Sequence, residues 1–366
     1  MKPRLLMVGR RYEFPLPQRE RAKLEALERR FDVLVLSSGR DTSRDERFRL
    51  LPPVRPRLLD GPAFYATLPA RLARELRRFR PDAVLVQGTH ETAAALLARL
   101  FVSRETKIIL DLHGDPRQAT RLYGSRARRL FDPLGDRISE AALRRADGIR
   151  TISGFTSGIV RARGREPDAV FPALVDVDAF VDSPPAPLPE RPSLLFIGVL
   201  ERYKNVDGLA AAWRHLAAQL PAAELRVVGR GRLAEVVAGL PQASWTPSLP
   251  NAAVPRALDD AWALALPSRS EGLPRVAIEA FARGRAVVGS RRGGIPDIVE
   301  HDRNGLLVDD PEDAEAVAAA FARLLSDRAL AERLGAAARE DVSRWTATPE
   351  EFAERTAALV RAVLAG

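Results

Sequence analysis

PSRSEGLPRVAIEAFA, Pro267–Ala282, follows the apolar run AWALAL at Ala261–Leu266. That run reads as a buried strand, closed by Pro267 and Ser268. Pro274, with its fixed φ, suits the first position of a helix. Glu271 then lies in the loop before the helix and Glu279 just over one turn inside it. A helix start presents unpaired N–H groups and a positive dipole end, a combination that suits a phosphate. Glu271 can reach over such an anion from the loop, and Glu279 can point back towards it, because Cβ bonds tilt towards a helix N-terminus. The plainer reading of the stretch is an amphipathic helix carrying solvated glutamates.

Working outward, apolar strand-like runs alternate with helical patterns along the chain, as parallel α/β units do. In the first half the strand runs are 4–8, 32–36, 82–86, 107–112 and 148–153. Helical patterns lie near 17–30, 64–79, 90–101, 125–146 and 154–163. The run VDSPPAPLPERP (181–192) interrupts the pattern with five prolines in twelve residues. It reads as a semi-rigid linker and sets the expected boundary. One domain covers 1–182, with 349–366 crossing back to it, and a second covers 183–348. The second half restarts with strands at 193–198, 224–229, 243–245, 261–266, 286–290 and 305–308. Helical patterns follow near 205–219, 231–239, 251–259, 274–283, 311–325, 328–340 and 349–364. The expected fold is α/β: two Rossmann-like domains of parallel sheets facing across a cleft. Ligands in such sheets bind beyond the carboxyl ends of strands.

Composition narrows the classes. The chain has 366 residues and no cysteine, which excludes disulfide and thiolate chemistry and favours the cytoplasm. No apolar run approaches the roughly 18 residues of a membrane-spanning helix. The N-terminal apolar run is too short for a signal peptide and reads as a first strand. Residues 1–182 carry 35 Lys+Arg against 24 Asp+Glu, whereas 183–366 carry 22 against 24. The basic half implies an anionic partner, such as the inner face of a membrane or a lipid phosphate. Helix 68–79 concentrates that charge in Arg71, Arg74, Arg77 and Arg78. Nucleic acid is disfavoured, because the arginine runs lack interleaved aromatic residues. Lys204 is the one lysine of the second half. A lysine where arginine dominates points to a need for a compact point charge.

Other candidate residues fall just after strands. His113, in LDLHGDP, suits a hydroxyl contact or a proton shuttle. Gly198 precedes Arg202 and Lys204, cations placed to reach a diphosphate. Gly293 and Gly294 permit a close backbone approach. Gly229 and Gly231 lack the third glycine of a dinucleotide fingerprint, and there is no phosphate-loop motif of an NTPase. Asp176 and Asp178 make a D-x-D, but no His/Asp/Glu cluster has metal-ligand spacing.

The second half resembles the nucleotide-sugar domain of the retaining glycosyltransferase family 4 (glycosyl transferases group 1), which has the GT-B fold. The motifs are FIGVLERYKNVDGL, ELRVVGRG, the E-x(7)-E of Glu271 and Glu279 within PSRSEGLPRVAIEAFARGRAVVGSRRGGIPDIV, and HDRNGLLVDDPEDAEAVAAA. RPDAVLV, LDLHG, RRADGIRTIS and FPALVDVDAF extend the likeness into the first half. The resemblance implies metal-free transfer from a UDP-, GDP- or ADP-sugar, with retained configuration, to a glycan, a lipid-linked or a small-molecule acceptor. No cofactor is implied. Glu271 would bind the sugar and Glu279 the ribose. Lys204, with Gly198 and Arg202, would meet the diphosphate, aided by N–H groups around Gly272, Leu273, Arg275 and Val276. His113 would sit by the anomeric centre, with Gly9, Arg10 and Arg121 on the acceptor side. Val199 stands where the family often has arginine. A sugar epimerase, or a phosphorylase with pyridoxal phosphate on Lys204, is the alternative within the same fold.

Overall fold

The computed structural model describes residues 2–12, 14–40, 45–52, 54–55, 60–102, 105–118 and 132–366. Two compact units emerge, Met1–Leu174 with Ala347–Gly366, and Val175–Thr346. Each is a parallel sheet wound in two directions from its first strand. Strands buried on both faces need apolar residues at nearly every position, which is why they read as continuous runs in the sequence.

The first sheet holds β1 (Arg4–Arg11), β2 (Asp32–Ser38), β3 (Phe48–Leu51), β4 (Ala83–Gln87), β5 (Lys107–Leu112), β6 (Gly148–Thr151) and β7 (Ala169–Val170). Its order is β3-β2-β1-β4-β5-β6-β7. Alternate side chains feed two cores. Leu5, Val33, Leu85 and Ile109 pack under the helices Gln18–Glu28 and Pro349–Ala365, while Leu6, Leu34, Val84 and Ile108 pack under Asp60–Arg78 and Thr89–Leu100. The last helix thus returns to the first unit. Its start is fixed by a capping box between Thr348 and Glu351, with Pro349 in the first turn. Near its end Val363 meets Gly148 so closely that a Cβ there would lie 2.5 Å from Cγ2.

The second sheet holds β8 (Ser193–Ile197), β9 (Glu224–Val228), β10 (Ala243–Thr246), β11 (Ala263–Leu266), β12 (Ala286–Ser290) and β13 (Gly305–Val308), in the order β10-β9-β8-β11-β12-β13. The short elements β3, β7, Asp178–Val181 and Ile295–Ile298 carry too little periodicity to stand out in the sequence. The first part of the helix expected at 125–146 lies outside the described residues; the described helix is Asp132–Arg145.

The division between units falls at Leu174/Val175, eight residues before the boundary expected from the proline run. Proline offers a carbonyl and no N–H, so such a run supplies acceptors in excess. Arginines of the second unit take them up. Arg283 donates to the carbonyls of Phe180, Ser183 and Pro184 at 2.8–2.9 Å, Arg285 to Ala186 at 2.7 Å, and Arg328 to Leu188 and Pro189 at 2.7 and 3.0 Å. The run is therefore a strap on the second unit. Arg283 is 2% exposed and also binds Asp259 through two bonds of 2.9 and 2.7 Å. Arg283→Met should destabilise the protein by about 3–5 kcal/mol, because it leaves Asp259 and several carbonyls short of donors. Denaturant unfolding checks this, and a loss below about 1 kcal/mol would show the strap to be held by other contacts.

Candidate functional site

In the second sheet the winding reverses between β8 and β11, so the loops leaving those two strands diverge and open a crevice. Lys204 follows β8 and Glu271 follows β11. Their side chains meet there, Lys204 Nζ lying 2.5 Å from Glu271 Oε1, each 11% exposed. Ser268 Oγ donates to the same carboxylate oxygen at 2.9 Å, and the Ser268 carbonyl accepts from Ser290 Oγ at 2.5 Å. Glu271 is thus held directly by residues that follow two strands, β8 and β11, and Ser268 is held in turn by Ser290 of β12.

The turn carrying Lys204 is equally well held. Asn205 adopts left-handed φ of 55°, which asparagine tolerates better than most residues. Its side chain caps the helix Val206–Gln219 through Gly208 N–H and donates to the Pro311 carbonyl at 2.6 Å. Arg269 ties this turn to the Glu271 loop. Its guanidinium donates to Glu312, to the Arg202 carbonyl and to both oxygens of Asp207, and its N–H donates to the Tyr203 carbonyl. Hydrogen bonds to Glu312 and then Asp207 push Arg269 further above its ordinary pKa, so it stays charged.

Glycines set the backbone spacing. Gly293 has φ 58°, and a Cβ there would lie 2.3 Å from the Glu271 carbonyl, which also accepts from Gly294 N–H at 2.8 Å. Gly229 and Gly231 seat the turn after β8, since Cβ atoms there would lie 1.8 Å from the Gly198 carbonyl and 2.2 Å from that of Leu200. Their spacing serves the chain's own backbone. Gly198 leaves only ordinary contact space beside Lys204 Cε, at 3.4 Å.

The helix that follows Glu271 runs Arg275–Ala282, with Pro274 at its N-cap rather than inside its first turn. Proline offers no capping side chain, so no side-chain bond covers the N–H groups at this start. Leu273 is buried, Gly272 and Val276 are half-buried, and Arg275 is exposed. Arg202 is exposed, and so is Val199 at 45%. Glu279 is half-buried with no hydrogen bond to its carboxylate among the described residues. Burial pushes its carboxyl above the ordinary value; Arg275 opposes the shift and Asp176 adds to it.

In the first unit, His113 stands just past β5. Its Nε2 lies 2.9 Å from Asp111 Oδ2 and its Nδ1 3.2 Å from Gln87 Nε2. Arg150 Nη1 donates to Asp111 Oδ1 at 2.7 Å. Burial would raise the Asp111 carboxyl, but Arg150 and then His113 hold it at about 2. Gly9 lies in β1 with ordinary contact distances to Tyr12 and Gln87. Arg121 and the Arg10 side chain lie outside the described residues. Arg71, expected on a basic face, instead turns inward and donates to the carbonyls of Ser37 and Arg49. Arg74, Arg77, Arg78 and Arg80 are exposed. Among the described residues no three His, Asp or Glu side chains cluster as metal ligands would, and no helix is long and apolar enough to cross a membrane.

Ser268, Arg269, Asp111 and Arg150 were not singled out from the sequence. Ser268 offered the signal of sitting three residues from Glu271. Arg150 offered that of a charge inside an apolar strand.

Glu279 yields a pH test. Its raised pKa means that the folded state holds the proton more tightly than the unfolded state. Stability therefore falls as pH rises through that window, and the penalty is complete above the folded pKa. Glu279→Gln should raise Tm at neutral pH and flatten this fall, as calorimetry between pH 4 and 8 would show. A lower Tm at pH 7 would contradict it.

Comparison with known proteins bears on the family and the fold. Glycosyltransferase Family 4 matches residues 22–179, and Glycosyl transferases group 1 matches 182–341. The GDP-mannose-dependent alpha-(1-6)-phosphatidylinositol monomannoside mannosyltransferase of Mycobacterium tuberculosis is 30% identical over 248 residues, 59% of this chain and 64% of that protein. The match therefore spans a little under two thirds of this relative. The sucrose-phosphate synthase of Thermosynechococcus elongatus superposes with a TM-score of 0.79 over 100% of both chains at 20% identity. Anabaena HepE, solved with UDP-glucose, gives 0.72 over 97% of this chain and 99% of its own at 15% identity. With two family matches lying end to end and these folds in common, the chain belongs to the family 4, group 1 glycosyltransferases and has their GT-B fold.

Proposed function

We propose that the chain transfers a sugar from a nucleoside-diphosphate sugar to an acceptor hydroxyl, with retention of anomeric configuration and without a metal. The observation that carries this is the Lys204–Glu271 contact at the switch point of the second sheet, beside an uncapped helix start. A diphosphate needs cations and N–H donors, which Lys204, Arg202 and the backbone of Gly272, Leu273, Arg275 and Val276 supply. A sugar needs carboxylate acceptors for its hydroxyls, and Glu271 is one. Glu279, desolvated and without a hydrogen-bond partner among the described residues, suits the ribose diol. As the bond to the anomeric carbon breaks, negative charge grows on the diphosphate, and fixed cations and helix N–H groups stabilise it without reorganising. His113, Gly9 and Arg10 serve the acceptor end. The likeness to a mannosyltransferase acting on a phosphatidylinositol mannoside and to an enzyme solved with UDP-glucose supports the substrate class. An acceptor carried on an anionic membrane suits the exposed Arg74, Arg77, Arg78 and Arg80.

Lys204→Ala and Glu271→Ala should each lower transfer by about 10²–10³ while the protein remains folded. Turnover near wild type in both would refute the site. A thermal-shift screen against UDP, GDP, ADP and their sugars identifies the donor, with about 2.7 kcal/mol of stabilisation expected at one hundred times Kd. Co-sedimentation with vesicles containing anionic lipid should weaken as salt rises above about 0.15 M. Binding indifferent to salt and lipid charge would count against membrane docking.

A further inference from the structure

Gln87, Asp111 and Arg150 are register partners on β4, β5 and β6, so they form one row across the carboxyl end of the first sheet. His113, two residues past Asp111, folds back onto that row. We infer that Arg150 is a positioning residue for His113: it pins one oxygen of Asp111, turns the other towards the ring, and so decides which ring nitrogen is free for a ligand.

The hydrogen-bond inventory fixes the polarity. Asp111 Oδ1 accepts from Arg150 and Oδ2 faces His113 Nε2. A carboxylate only accepts, so Nε2 carries the hydrogen. In the neutral ring Nδ1 then keeps its lone pair and accepts from the Gln87 amide. Gln87 is exposed, whereas the Asp111 side chain is 11% exposed and shared with a buried guanidinium. A hydroxyl can replace Gln87 but not Asp111. The neutral ring therefore takes a hydrogen from a substrate hydroxyl and does not give one. In this the inference deepens the proposed transfer reaction and rests on it.

The rest of Arg150 is built in. It is 1% exposed and donates to the carbonyls of Phe171 and Pro172 at 3.0 and 2.8 Å. Its guanidinium lies 4.0 Å from the Phe171 ring centroid and 5.2 Å from that of Phe352. Its buried Nε finds no hydrogen-bond partner among the described residues. A buried ion pair contributes little net stability compared with apolar residues of the same volume, and an orphaned N–H costs more. The two carbonyls need donors but not a charge, whereas orienting Asp111 gives a reason for the charge.

Long-range ¹H–¹⁵N spectra of the histidine rings, with His113→Asn for assignment, read the tautomer with no donor or acceptor present. The wild type should show Nε2–H at His113. In Asp111→Asn, Arg150 still takes the side-chain oxygen, the amide turns to the ring, and the tautomer should invert to Nδ1–H. Transfer should fall about tenfold or more in kcat with the donor KM little changed. Asp111→Asn combined with Arg150→Met should lose the bias and show both tautomers, while Arg150→Lys should keep the wild-type tautomer and part of the rate. Persistence of Nε2–H in Asp111→Asn would overturn the inference. So would an Arg150→Met protein that keeps both tautomer and kcat and loses only Tm. The isosteric Asp111→Asn carries the test if Arg150→Met does not fold. Because the tautomer is read without turnover, failure of the transfer reaction and failure of the positioning role give different results.

Discussion

A parallel sheet wound in two directions must let the loops of its two central strands part, and everything specific about this chain is arranged around that geometric necessity. In the second unit the parting loops come from β8 and β11. The protein fills the gap with a cation and a carboxylate instead of apolar side chains. Holding such a pair at 11% exposure requires the turns on either side to be rigid. This explains the expense of Asn205 in a left-handed conformation, Arg269 bonded to two acidic residues, and three glycines pressed against carbonyls.

Charges inside the units follow a second rule, that each buried guanidinium meets acceptors the backbone could not otherwise satisfy. Arg283 and Arg285 gather the carbonyls of a proline-rich strap, and Arg150 gathers those of Phe171 and Pro172 beside β7. Arginine suits this work because its donors are spread in a plane and its charge persists on burial. The same chemistry thus closes a boundary in one unit and orients a histidine in the other.

The fold was largely legible in the sequence, because doubly buried strands such as KIILDL and AWALAL have no choice but to be apolar. The two-residue β7 and the edge strand β3 were not, since they are too short to show a period. Candidate residue types were legible too: Glu271, Lys204 and His113 stand just after strands, and Glu279 lies in the helix after β11. Their partnerships were not. Lys204 and Glu271 are 67 residues apart, and Asp111 meets Arg150 only through the register of β5 on β6. Gly229 and Gly231 looked like a fragment of a nucleotide fingerprint because glycine spacing records close approach without saying what approaches.

The first unit is made from two stretches of chain that are far apart, with Ala357, Val360 and Val363 covering one face of a sheet whose strands lie before residue 171. During synthesis that face lacks its cover until residues 347–366 have left the ribosome, whereas the second unit is complete once Thr346 has emerged. The insertion therefore imposes an order of assembly. Residues 175–346 can settle before the strands that precede them, with the Arg150–Asp111 row among these, are sealed by Phe352 arriving over the guanidinium.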